Sequence, residues 1–197
     1  MKENAELRSN GLWQSTVGTD LNGKRLGLIG LGKIGGRMAT IAKAFGMDVI
    51  AWSQNLAKEQ TDKLGVQLAN SKEELLETSD YISIHLVLSD RTRGLISKKD
   101  LKLMKSSAYL INTSRAAIID EQAIIQALHE NWIAGAGLDV FDLEPLPQDH
   151  PFRTMPNVLA TPHLGYVTEK NYTTYYEEAV EDIQAYLDGR VIRSLLL

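Results

Sequence analysis

The sequence predicts an α/β fold, a doubly wound parallel sheet with helices on both faces. Three observations predict it. Apolar runs and amphipathic segments alternate from Leu21 onward. The runs are near-continuously apolar, the pattern of strands buried on both faces. A glycine-rich turn, Gly30-Leu31-Gly32-Lys33-Ile34-Gly35, joins the first run directly to a segment with helical spacing.

The elements follow in order. Residues 1–20 are polar, with Leu12 and Trp13 as isolated anchors, and read as a linker or surface helix. Arg25–Leu31 reads as a strand, Ile34–Phe45 as a helix and Met47–Ser53 as a strand. A polar segment follows, then the short strand Val66–Ala69. Ser71 and Glu74 have the spacing of a capping box, which starts a helix through about Glu77. Tyr81–Val87 is a strand, Lys98–Met104 a helical turn or two, and Ala108–Asn112 a strand. Asp120 caps a helix over Glu121–Asn131, and Ala134–Val140 and Val158–Thr161 are the last strands. Thr168–Asp188 is a long helix that stops at Gly189. Its residues Tyr172, Tyr176, Ala179, Val180, Ile183 and Leu187 share helical spacing, which makes the tyrosines core anchors with wet hydroxyls.

Composition narrows the class. A length of 197 residues suffices for one ample core and is marginal for two domains. The net charge of -4 argues against a nucleic-acid or anionic-membrane partner. The absence of cysteine excludes a disulfide framework, a thiolate metal site and a cysteine nucleophile, and fits a reducing cytoplasm. The polar N-terminus is no signal peptide, and no apolar stretch is long enough to span a bilayer.

The glycine turn carries the first chemical reading. G-x-G-x-x-G between strand and helix is the dinucleotide fingerprint in the context it requires, and makes the sheet Rossmann-type. Gly30 permits the tight turn, Gly32 lets backbone approach a pyrophosphate, and Gly35 lets helix and strand pack closely. The diphosphate rests on N–H groups at the positive end of the helix. The chain then divides into residues 1–20, a dinucleotide-binding domain over 21–166, and a C-terminal helix and tail over 167–197.

In such a sheet ligands bind beyond the carboxyl ends of the strands. Asn112-Thr113-Ser114-Arg115, Asp139, Glu144 and His163 stand there. Reducing a carbonyl beside a nicotinamide needs a proton for the oxygen, and histidine titrates near working pH. His163 suits that role, and Glu144 suits the carboxylate that holds its tautomer. Arg115 suits the grip on a 2-oxo acid, because its planar fork is always charged. Asp139 accepts a hydrogen bond from a carboxamide or orients a neighbour. Plainer readings stand beside these: a structural histidine, a solvated loop glutamate, an Arg115–Asp120 surface pair. His85 belongs near cofactor or core, and His129 and His150 are solvated.

These motifs, in this order, resemble the D-isomer-specific 2-hydroxyacid dehydrogenases. The likeness runs from Gly11-Leu12-Trp13-Gln14 through Leu21-Asn22-Gly23-Lys24, the glycine turn and Thr92-Arg93-Gly94-Leu95-Ile96. It continues through Asn112–Arg115, Gly137–Phe141, Glu144-Pro145-Leu146-Pro147 and Thr161-Pro162-His163-Leu164-Gly165. The resemblance implies a catalytic set of Arg115, Glu144 and His163, and NAD or NADP as cofactor. It implies cofactor contacts from Lys33, Ile34, Ser53, Thr113, Ser114 and Asp139, a small 2-oxo or 2-hydroxy acid as substrate, and a homodimer. The Trp13 region and the helices Ile34–Phe45 and Glu121–Asn131 are candidate association surfaces. The Glu144–His163 pairing resembles the hydroxyacid enzymes rather than the related formate dehydrogenases.

Three positions depart from the family pattern. The substrate domain of the family is largely absent, so the chain reads as an excised domain or a truncated product. Ser53 replaces the acid expected after the second strand, which leaves NAD and NADP both open, with Lys58 as a nearby cation. Ala116 follows Arg115 where the family usually has glycine. A second function class stays open as well: a nucleotide-binding regulatory or scaffold module without turnover.

Overall fold

A computed structural model describes Ser9, Trp13 and residues 17–194. The expected linker or helix over 1–20, and Leu12 with it, lies mostly outside the described residues. Trp13 is not an anchor, for it is largely exposed.

Seven parallel strands form the sheet: β1 (Arg25–Ile29), β2 (Asp48–Trp52), β3 (Gln67–Leu68), β4 (Tyr81–Ile84), β5 (Tyr109–Asn112), β6 (Gly135–Leu138) and β7 (Val158–Ala160). Their order is β3-β2-β1-β4-β5-β6-β7. The chain therefore winds outward from β1 in one direction, returns to β4, and winds outward in the other. The switch point lies between β1 and β4, where such sheets open a crevice for ligands.

Residues alternate across the sheet and select the helices. Leu26 and Leu28 of β1 and Val49 and Ala51 of β2 join Ala39 and Ala42 of helix α1 (Lys33–Ala44) on one face. Helix α2 (Lys58–Leu64) adds Leu64 there. Ile29, Ile50, Ile82, Ile84 and Leu110 face the other way. They meet Leu75 and Leu76 of α3 (Lys72–Thr78), Leu101 of α4 (Lys98–Leu103), and Ile124 and Leu128 of α5 (Glu121–His129). A fully buried leucine or isoleucine of this kind stabilises by about 1.5–3 kcal/mol.

Local signals set the helix ends. Ser71 Oγ accepts the Glu74 N–H and Asp120 Oδ1 accepts the Ala123 N–H, both at 3.0 Å. The capping box at Ser71 is half formed, because Glu74 takes the Asn70 N–H and side-chain amide instead. Thr168 caps the final helix, α6 (Glu169–Leu187), and Gly189 ends it at φ +70°. Helix α2 arises in the segment that the sequence marks only as polar. Only Thr61 of it is buried, so no apolar stripe announces it, although Gly65 at φ +58° marks its stop. Except for β5, which ends at Asn112 as expected, the strands are shorter than expected at their carboxyl ends, where the chain turns away from the sheet to build the site.

Helix α6 departs most from expectation. Among its residues only Ala185 is buried. Tyr172, Tyr176, Val180, Ile183 and Leu187 are exposed, so the tyrosines are not core anchors. His150 departs too: its ring is 14% exposed, accepts the Phe152 N–H, and tilts against the Phe152 ring.

Two partly buried carboxylates tie elements together. Asp80 accepts the Arg25 N–H and pairs with Lys105 at 3.0 Å, and Asp100 pairs with Lys72 at 2.8 Å and accepts from Ser97. Burial alone would raise both pKa values. The Arg25 N–H and Lys105, and for Asp100 the lysine and Ser97 bonds, outweigh it and hold both below the usual range. The unfolded chain then binds more protons than the native one as pH falls through the carboxylate range. Stability is therefore complete above about pH 4 and declines below it as the folded carboxyls take up protons. Urea unfolding should give a lower midpoint at acid pH, and Asp100→Asn should flatten the difference. An equal slope in that variant contradicts the assignment.

Candidate functional site

Register brings the strand ends to one level. Ile29 pairs with Trp52 and Ile84, Ile84 with Asn112, Asn112 with Leu138, and Leu138 with Ala160. The next residues, Gly30, Ser53, His85, Thr113, Asp139 and Thr161, thus leave the sheet along one edge.

The glycine turn fits a diphosphate. Gly30 has φ +101°, and a Cβ there would stand 2.6 Å from the His85 carbonyl oxygen. A Cβ at Gly35 would overlap the Gly30 carbonyl, so helix and strand approach closely only with glycine there. Gly32 is the reverse case. Among the described residues no heavy atom lies within 4 Å of the place its Cβ would take. The backbone there is open to a group from outside. Helix α1 has no side-chain cap and no acidic residue in its first turn, so its leading N–H groups and positive end are left for an anion. Lys33 and Ile34 flank this mouth and are exposed.

Gly32→Ala should separate binding from folding. The new methyl meets open space and an ordinary φ of -75°, so the melting temperature stays the same. Dinucleotide affinity should fall about tenfold or more, since the methyl occupies the diphosphate's approach. Calorimetric titration checks this, and unchanged affinity would count against the assignment of the turn.

Ser53 borders a cavity of about 300 Å³ between the end of β2 and the loop after β4. Lys58 does not line it and is held by Asp62 at 2.6 Å. The expected nearby cation is therefore engaged elsewhere. His85 lies under Gly30 with its Nε2 3.0 Å from Ser83 Oγ, and burial pushes its pKa down.

At the end of β5, Ser114 Oγ donates to the Ile84 carbonyl at 2.8 Å, and its N–H is held by Asn112 Oδ1. Asn112 also donates to the Arg115 carbonyl at 2.9 Å. This clasp leaves Thr113 and Arg115 exposed at the edge. The Arg115 guanidinium bonds the Ser114 carbonyl at 2.6 Å, and no carboxylate among the described residues pairs with it. Asp120 is occupied as a helix cap.

Glu144 and His163 come together although nineteen positions separate them. His163 Nδ1 lies 2.9 Å from Glu144 Oε2, and the other oxygen accepts the Phe141 N–H at 2.9 Å. The bond from His163, then that from Phe141, holds the Glu144 pKa below its usual value. A carboxylate at Nδ1 assigns the proton to that nitrogen and leaves Nε2 for exchange. Among the described residues Nε2 has no partner. The ring is about a third exposed, stands edge-on to Tyr166, and borders a cavity of about 770 Å³ shared with Phe141, Leu146 and Val167.

Asp139 is the support beneath this pair. It is buried and accepts three bonds: from Thr161 Oγ1 at 2.5 Å and from the Leu164 and Gly165 N–H groups at 2.8 Å. Burial would raise its pKa, and these bonds outweigh burial and lower it. They fasten the turn on which His163 sits at φ +53°, a left-handed conformation uncommon outside glycine. Thr161 and the Phe141 N–H escaped the reading of the sequence. The Thr161 partner, Asp139, lies 22 positions away, and the Phe141 N–H meets Glu144 three residues on, within a loop that has no periodicity to signal it.

Residues 1–165 match the family model described as D-isomer specific 2-hydroxyacid dehydrogenase, NAD binding domain. A glyoxylate reductase from Aeropyrum pernix is 44% identical over 180 residues, 91% of this chain and 53% of that protein. The chain thus spans about half the length of the curated relatives it matches first. A phosphoglycerate oxidoreductase from Vibrio cholerae superposes with a TM-score of 0.89 at 36% identity, covering 96% of this chain and 62% of the other. An acyclic imino acid reductase in complex with NADPH and D-Arg superposes with a TM-score of 0.80 at 33% identity, covering 99% and 62%.

Proposed function

Because the chain belongs to the D-isomer specific 2-hydroxyacid dehydrogenase family and carries its NAD-binding domain, we propose that it serves an NAD(P)-dependent oxidoreductase that reduces a small 2-oxo acid to the 2-hydroxy acid. The observation that supports this most is the Glu144–His163 bond, which leaves one imidazole nitrogen free beside the edge where the glycine turn opens.

In this reading Gly30, Gly32, Lys33, Ile34 and Gly35 hold the diphosphate of NAD or NADP. Ser53 faces the adenosine ribose, and Thr113, Ser114 and Asp139 stand toward the nicotinamide end. The reduced nicotinamide, when bound, supplies a hydride to the carbonyl carbon. The chain's own residues do the rest. Arg115 grips the substrate carboxylate with its planar fork and draws the carbonyl into line. His163 delivers a proton from Nε2 to the carbonyl oxygen. Glu144 holds the ring by Nδ1, so the orientation survives the loss of that proton. Solvent then restores the proton, because the ring is partly exposed.

Residues 21–166 form the cofactor domain in this proposal, and 167–197 the helix and tail. The active species is a cytoplasmic homodimer. Ile41, exposed on α1, and Phe45, exposed at its C-terminal cap, support an association surface there. Light scattering that returns twice the chain mass checks the dimer. Among the described residues no helix is long and apolar enough to cross a membrane.

The reaction is tested by mixing the protein with glyoxylate or hydroxypyruvate and either reduced dinucleotide. Loss of reduced-nicotinamide absorbance is the expected result. Dinucleotide binding without turnover of any short 2-oxo acid would favour the regulatory or scaffold module instead.

A further inference from the structure

The cavity beyond β2 holds a group of polar side chains with nothing to bind. Ser53, Gln54 and Asn55 enter it from the end of β2, and Arg91 enters from the loop after β4. No hydrogen bond or ion pair engages these four side chains among the described residues. Two lysines nearby are engaged, Lys58 by Asp62 and Lys72 by Asp100, and Asp90, beside Arg91 in the chain, is exposed and does not line the cavity. No carboxylate lines the cavity. Its remaining wall is Trp52, Leu86, Leu95 and Thr92, whose hydroxyl is engaged with Ser89 and the Val87 carbonyl.

Position says what such a cavity meets. Trp52 pairs with Ile29, so Ser53 stands one strand from Gly30 and the diphosphate turn. A dinucleotide lying on that turn reaches the end of β2 with its adenosine ribose. An acid at Ser53 would bind the 2′-hydroxyl and repel a 2′-phosphate. Serine and two amides do not repel, and a free guanidinium attracts. Arginine's fork matches phosphate oxygens in pairs, which ammonium does not. The apolar wall suits the flat face of the adenine.

We propose that this cavity is a 2′-phosphate subsite, with Arg91 as its cation and Ser53, Gln54 and Asn55 as neutral donors, so that the chain prefers NADP(H) to NAD(H). This deepens the dinucleotide reading above and rests on it. The selectivity belongs to two residues far apart in sequence: the serine that stands at Ser53 in place of an acid, and the arginine at Arg91.

Fragments of the cofactor test the subsite without turnover. Isothermal titration of the protein with 2′-phospho-ADP-ribose and with ADP-ribose should show the phosphorylated fragment binding about tenfold or more tightly. Arg91→Ala should reduce that preference to about twofold or less, through loss of the phosphorylated fragment, with ADP-ribose affinity falling far less. Arg91 is exposed and unpaired among the described residues, so the variant folds, and an unchanged melting temperature verifies this. Ser53→Asp should reverse the preference by repulsion. Equal binding of the two fragments, or a preference that survives Arg91→Ala, overturns the subsite and leaves the dinucleotide reading intact. Binding of neither fragment overturns both.

Discussion

Replacing His163 with alanine should lower kcat for 2-oxo acid reduction about 10²–10⁴-fold, the usual worth of a positioned general acid. Dinucleotide affinity should stay within about a factor of two, because the glycine turn is built from other segments. The reasoning is geometric. His163 Nδ1 is committed to Glu144 at 2.9 Å, and Nε2 is the nitrogen left to exchange a proton. Alanine removes the acid and also alters a residue at φ +53°. His163→Asn separates the two effects, since asparagine tolerates the left-handed region and carries no titrating proton. Both variants should lose kcat alike. Normal turnover in His163→Asn would reject the acid role and leave the histidine as a shape-setting residue of the turn.

Asp139→Ala should be the most damaging change at a residue assigned no proton transfer. It strands the Thr161 hydroxyl and the Leu164 and Gly165 N–H groups. Leu164 and Gly165 are exposed residues, so the expected loss is about 2–4 kcal/mol rather than the full sum for three buried donors. Thermal or urea unfolding measures it. The larger consequence is for geometry. These bonds fasten the turn that aims His163, and a loosened catalytic group loses about tenfold to a hundredfold in rate. Measured at a temperature where the variant is fully folded, kcat should still fall, and by a larger factor than dinucleotide affinity does. Full activity under those conditions would show that Asp139 stabilises the loop without aiming the histidine.

The two predictions differ in how far the sequence reveals them. The Glu144–His163 pairing was legible, because both residues follow strands whose apolar runs are plain. A parallel sheet sends all such ends to one edge. Arg115 was legible for the same reason. Asp139 was visible as a strand-end acid, but its three partners come from the segment after β7, 22 to 26 positions away. Arg91 gave no signal at all. Its loop has no periodicity, and only the order of β2, β1 and β4 brings it opposite Ser53.

Helix α6 shows the opposite limit. Its period is helical and its caps are correct, so the element itself was predictable from Thr168 to Gly189. What its apolar residues face was not. Periodicity states that a stripe exists; it does not state that a partner lies within reach. Here the stripe is exposed across Tyr172, Tyr176, Val180, Ile183 and Leu187. His150 errs in the other direction, as a loop residue that packs on Phe152.

What the chain's own order of residues determined is therefore local: where strands give way to helices, which side chains cap them, and that Gly30, at φ +101°, and Gly35 make a turn no larger residue would. Those outcomes depend on groups within a few positions of one another, and short-range sterics and hydrogen bonds suffice to decide them. The three-dimensional arrangement alone decided that Asp139 clamps the His163 turn, that Arg91 shares a cavity with Ser53, and that Lys58 is spent on Asp62. Strand pairing joins residues distant along the chain, and a free cation or a satisfied carboxylate is defined by what surrounds it.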